Sequence, residues 1–188
     1  MPIPQTIHSA TVIGVDGHPI QVEVDLLRRL PSVSIVGLPD GSVRESADRV
    51  RSAIQNSGLQ FPRKRIVVNL APAGLKKSGT LFDLPIAIAI LLMDDQIDNI
   101  RPLQETIIVG ELSLSGELRR VRGAISIALL AKELGYTHLV LPIHNLLEVA
   151  SIEGIQCIGC STLREVINWF TDEVQNTVYP IPQRQQPL

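Results

Sequence analysis

From Leu84 to Met93 the chain runs for ten residues without a polar side chain. A helix that is apolar on every side cannot lie on a protein surface and has to be wrapped by other layers or by lipid. Ten residues are about half of what a bilayer-spanning helix requires. The run therefore predicts a core helix over residues 82–93, in which Pro85 is tolerable only in the first turn. Such a helix needs a sheet against it and further helices around it. The 188-residue length suits one large domain, and surface scaling has it bury roughly 70% of its unfolded surface. With 45% hydrophobic and 19% charged residues, disorder is excluded for the bulk of the chain.

Strands are expected on both sides of that helix. Ile7–Val15, Ile20–Leu27 and Ser32–Val36 are rich in β-branched residues and are separated by Asp16-Gly17 and Pro31, which predicts three strands, the first two a hairpin. After Pro39-Asp40-Gly41, Ser42 and Glu45 have capping-box spacing, and Val43, Ala47, Val50 and Ile54 recur at helical intervals before Gly58. Ile66–Leu70 reads as a central strand buried on both faces. Ile107–Leu112 and Glu117–Val121 flank Ser115-Gly116 as a second hairpin. A helix over Ala124–Leu134, a strand at His138–Leu141, a short helix, a strand at Ile155–Ile158 and a helix over Thr162–Phe170 complete an alternating β and α pattern. The expected division is a domain over 1–175 and a proline- and glutamine-rich linker or tail over 176–188.

The formal net charge is -2, so nothing attracts nucleic acid or anionic lipid to the molecule as a whole. Binding of that kind needs a local patch. Three basic clusters qualify: Arg63, Lys64 and Arg65; Lys76 and Lys77; and Arg119, Arg120 and Arg122. Aromatic residues are only 3% of the chain, which argues against a platform for stacking single-stranded bases and leaves phosphate-directed, salt-sensitive contacts. Asp94, Asp95 and Asp98 read as solvated loop residues. Two cysteines are too few for a disulfide scaffold, and the first ten residues lack the regions of a signal peptide, so the cytoplasm is expected.

Chemistry-bearing motifs are few. Gly74 and Gly79 have the spacing of a phosphate loop, but Thr80 stands where its lysine is required, so no nucleotide cofactor is expected here. The plain reading of 74–80 is a tight, solvated loop with Thr80 and Asp83 as a capping box. Cys157 and Cys160 have metal-ligand spacing, but no second pair exists and His8, His18, His138 and His144 form no motif. Packing of both thiols as small hydrophobes is favoured, and no metal site is expected.

The segments VVNLAPAGLKKSGTLFDLPIAIAIL (67–91), VGELSLSGELRRVRGAISIALLA (109–131), GLPDGSVRESADRVRSAI (37–54) and LVLPIHNLLEVA (139–150) resemble the amino-terminal domain of the ComM/YifB family, the magnesium-chelatase-like AAA+ ATPases. The resemblance runs from about residue 5 to residue 172. It implies an α/β fold with a mixed sheet, like the proteolytic domain of Lon proteases and the second domain of ribosomal protein S5. In full-length members an AAA+ motor follows in cis, assembles as a hexamer and uses ATP and Mg for DNA helicase activity and branch migration. Those ligands are expected in the motor, outside this chain. Set against the Lon pattern, the nucleophilic serine would fall in Gly79–Asp83, which has none, and its lysine near Ile125, where none stands. Lys77 and Ser78 are sequence neighbours and poorly placed to act as a pair. The resemblance thus implies a non-catalytic module for subunit contacts or DNA guidance, with no catalytic residue. A divergent Lon-type serine peptidase and a stand-alone interaction module are the rivals.

Overall fold

The computed structural model describes residues 6–98 and 102–171; the expected 176–188 tail lies outside them. Along the chain come β1 (Ile7–Ile13), β2 (Asp16–Leu27), β3 (Ser32–Val36), α1 (Gly41–Arg44), α2 (Ser46–Asn56), β4 (Arg65–Ala71) and α3 (Asp83–Met93). They are followed by β5 (Thr106–Ile108), β6 (Glu111–Leu112), β7 (Leu118–Arg119), α4 (Ala124–Glu133), β8 (His138–Pro142), α5 (Leu146–Val149), β9 (Gln156–Cys160) and α6 (Leu163–Thr171). Seven strands form one sheet in the order β3-β4-β2-β1-β5-β8-β9, and β6 pairs with β7 apart from it. β2 is antiparallel to β1 and β4, while every other pairing in the large sheet is parallel. The class is mixed α/β, as expected.

The apolar run behaves as its composition demands. All residues from Leu84 to Leu91 are buried in α3, which packs on β1 and β2 and is flanked by α2. In β1, Ser9, Ala10 and Thr11 are buried in succession, so both faces of that strand are covered. The full-length burial predicted for Ile66–Leu70 does not occur. In β4, Ile66, Val68 and Leu70 are buried whereas Val67 and Asn69 are half-buried, because the second face carries Asn69 bonded to Glu23 (2.9 Å) directly across the ladder. That half of the sheet keeps a polar face.

Three local expectations need correction. The first hairpin turns at Gly14-Val15, not Asp16-Gly17: Gly14 adopts φ 65°, and Asp16 already pairs with Ile13. The helix after Pro39 is split at Glu45, and the first piece is capped by Asp40, whose carboxylate accepts from the Val43 N–H at 2.9 Å. Ser42 is not the cap; its hydroxyl donates to Asp40 instead. The hairpin expected over 107–121 is divided between two sheets. β5 lies between β1 and β8, and the chain leaves the large sheet at Gly110, where a Cβ would come within 2.9 Å of Leu118 and 3.1 Å of Leu84.

At the exit of β3, Gly37 has φ 102°, and a Cβ there would lie 2.1 Å from the Leu70 carbonyl oxygen. Backbone cannot yield as a side-chain tip can. Gly37→Ala is expected to lose more than about 2 kcal/mol of stability, read from urea denaturation, through combined clash and positive-φ strain.

Candidate functional site

The loops that leave the carboxyl ends of β3 and β4, residues 37–45 and 72–82, meet above the start of α3. Ligands of open α/β sheets favour such ends, and the Gly79–Asp83 stretch without a serine falls here as well. Two charged groups organise the region, and both are buried.

Asp83 has no solvent exposure. Its Oδ1 accepts from Ser46 Oγ (2.6 Å) and Arg49 Nη2 (3.0 Å), and its Oδ2 accepts from Arg49 Nε (2.7 Å) and the Leu112 N–H (3.1 Å). Burial pushes the carboxyl above its ordinary pKa, against the pull of Arg49, Ser46 and Leu112. Arg49 is raised by its bond to Asp83 and also donates to the Ser42 carbonyl at 2.8 Å. The group therefore ties α2, α3 and β6 together. The capping role predicted for Thr80 and Asp83 is not observed, since Thr80 donates to Glu111 and Asp83 looks inward. Local pattern does not reveal the network, because its members lie 29 to 37 residues from Asp83 along the chain, though an aspartate opening an apolar run is a usable signal.

Lys77 is the second buried charge. Its side chain is solvent-inaccessible, and Nζ donates to the carbonyls of Gly37 (2.7 Å) and Pro72. Burial lowers its pKa. The backbone latches at the same place: the Lys77 N–H donates to Leu38 and the Asp40 N–H to Lys77. Lys77 accordingly cannot present its charge to DNA phosphate in this fold, and the loop is not simply solvated. The Gly74–Gly79 segment also differs from a phosphate cradle, because the amides of Leu75, Lys77 and Gly79 donate to Pro72, Leu38 and the Ser42 hydroxyl. Burial opposes the Asp40 charge, but hydrogen bonds from Ser42 and Val43, with Lys76 nearby, hold its carboxyl below the ordinary value.

The basic clusters do not converge. Arg63 is exposed, Lys64 pairs with Asp94 at 2.8 Å and Arg65 is half-buried, all at the start of β4. Lys76 is exposed beyond the other end of that strand, about 20 Å away by strand geometry. Arg119 lies 3.7 Å from Glu111, Arg120 pairs with Glu148 at 2.6 Å, and Arg122 is exposed before α4. Ser78 is exposed while Lys77 is not, and Ile125 is an exposed residue of α4.

Cys157 and Cys160 both belong to β9, and a three-residue offset puts them on opposite faces of a strand. Burial pushes their pKa values up to about 11 and about 12. Among the described residues no group of three or more histidine, cysteine or acidic side chains is placed to hold a metal ion. No helix of the described residues is long and apolar enough to cross a membrane.

Comparison with known proteins adds a consistent set of relatives. Residues 22–145 match the family described as subunit ChlI of Mg-chelatase. The uncharacterized protein YifB of Escherichia coli is 45% identical over 160 residues, covering 85% of this chain and 31% of YifB. The competence protein ComM of Haemophilus influenzae is 39% identical over 167 residues, covering 89% of this chain and 32% of ComM. An uncharacterized protein of Mycobacterium tuberculosis is 40% identical over 162 residues, covering 86% and 32% respectively. The chain thus spans about a third of the length of these relatives.

Removing Asp83 leaves the Arg49 guanidinium, 18% exposed, with only the solvent-exposed Glu45 at 3.7 Å as a counter-ion. Asp83→Ala is expected to cost about 3–5 kcal/mol in chemical denaturation, and replacing both partners (Asp83→Leu with Arg49→Met) to cost clearly less than the single change.

Proposed function

The chain belongs to the family of the Mg-chelatase ChlI subunit, and we propose that within it the chain serves as a module without chemistry of its own. In this reading it is the amino-terminal part of a ComM/YifB-like AAA+ ATPase. ATP and Mg are then the business of the motor, whose helicase and branch-migration activity serves natural transformation and recombination. The module contributes subunit contacts within a ring, hexameric in the full assembly, or guides DNA towards the motor.

One observation carries the proposal. At the entrance of α3, where a Lon-type enzyme would place its nucleophile, the chain places a carboxylate that is fully buried and saturated by four internal donors. A nucleophile needs exposure and a neighbouring base, and Asp83 has neither. The nearest serine in sequence, Ser78, follows a lysine whose amine is turned to carbonyls. Binding is what remains for the exposed surface, and arginine-rich patches bind phosphates by charge.

Incubation of the chain with an unfolded protein substrate is expected to give no cleavage above that of a Ser78→Ala control; cleavage abolished by Ser78→Ala would reinstate the peptidase. Reversing the charges of Arg63, Lys64 and Arg65 together is expected to abolish weak, salt-sensitive binding to labelled DNA in anisotropy titrations. Unchanged binding would remove DNA guidance through that cluster.

A further inference from the structure

The sheet register brings a second basic segment to the start of β4. Leu27, the last residue of β2, and Ser32, the first of β3, both pair with Arg65, because β4 lies between those strands. Residues 28–31, which read Arg-Arg-Leu-Pro, therefore arch over the first residue of β4. The arch is pulled tight by the Arg29 N–H, which donates to the Leu27 carbonyl at 2.8 Å. The lead-in to β4, Phe61 to Lys64, has to pass beside it.

The consequence is a concentration of charge that no stretch of sequence displays. Arg28, Arg29 and Arg63 are exposed, and Arg51 of α2 reaches the same lead-in, its guanidinium 4.7 Å from the Phe61 ring centroid. Of the six cations here only Lys64 is held in an ion pair among the described residues, by Asp94. Asp25 lies diagonal to Arg65 across the β2–β4 ladder, and the 94–98 loop, which carries Asp94 and Asp95, is tied to the lead-in by the Lys64 pair and by hydrogen bonds between Gln60 and Gln96. Arg65 Nε is buried at the foot of the arch without a hydrogen-bond partner. At the crown, Leu30 is 88% exposed.

We propose that the 28–31 arch and the 61–65 lead-in form one composite surface that grips the phosphate backbone of duplex nucleic acid, with Arg28 and Arg29 as contacts in their own right. The proposal rests on the DNA-guiding reading above and narrows it to one end of the sheet. Five of the six cations are arginines, whose planar fork matches phosphate oxygens two at a time. An apolar crown flanked by arginines suits a duplex, where leucine and proline side chains wedge into the minor groove. A stacking platform for single strands is ruled against by the scarcity of aromatic residues. A membrane surface is ruled against by the small apolar area of the arch, Leu30 and Pro31 alone, far less than an interfacial anchor buries.

The test is fluorescence anisotropy of a labelled duplex titrated with the 188-residue chain at several salt concentrations. Arg28→Glu with Arg29→Glu is expected to weaken binding by about tenfold or more at low salt. The milder Arg28→Gln with Arg29→Gln, which guards against a folding defect, is expected to flatten the slope of log K against log salt by about 1.8, two contacts' worth. Lys132→Glu, on α4, is expected to bind as the parent does. Parent-like binding by both arginine pairs overturns the composite surface; if the Arg63, Lys64 and Arg65 reversal still abolishes binding, DNA guidance survives without the arch. A parent chain that binds no duplex at low salt overturns both. Tighter binding to anionic vesicles or to a single strand than to duplex also overturns the proposal.

Discussion

The arrangement around α3 depends on a carboxylate without access to water. Leaving Asp83 uncompensated would cost several kcal/mol, since a buried ion must recover in pairing and hydrogen bonds what it loses in hydration. Its donors come from two places: Ser46 and Arg49 on α2, and the Leu112 amide of β6. Satisfying it fixes α2 over the start of α3 and draws the chain after β5 out of the main sheet. Lys77 acts alike from the other side of the loop, holding the carbonyls of Gly37 and Pro72 around its ammonium. The carboxyl ends of β3 and β4 are thus closed by internal charge, where many α/β proteins keep a crevice.

Where burial alone decides, the sequence is enough. Leu84–Met93 could only be a wrapped helix, and the strands around it follow from β-branched runs and their punctuation. What the sequence conceals is long-range. Ile66–Leu70 looks covered on both sides because Val67 is apolar; its neighbour across the ladder is polar and the face stays open. Lys77 looks like a solvated cation because local pattern does not reveal that two loops close over it. Val109-Gly110 looks like the middle of a strand because the glycine's reason, close approach of Leu118 and Leu84, lies in tertiary packing. The vacancies at 79–83 and at Ile125 were legible, but only beside a family pattern; what fills the first of them was not.

The two ends of β4 divide the labour. The carboxyl end is spent on holding loops together, with Lys77 and Asp83 turned inward and the amides of Leu75, Lys77 and Gly79 occupied. The amino end leaves arginines free, at a point reached by three separate segments of chain. In the proposed reading, this is how a fold keeps a binding surface after its helix entrance has been given over to structure.

The arch between β2 and β3 also bears on how the chain folds. Those strands are joined by four residues yet do not pair with each other, since the space between them is one strand wide and belongs to β4. The local hairpin that so short a link would ordinarily nucleate is forbidden. Five residues of β3 have no ladder partner until β4 arrives from beyond α2, so the pairing of β3 requires the closure of that longer loop, at a higher entropic cost than a hairpin.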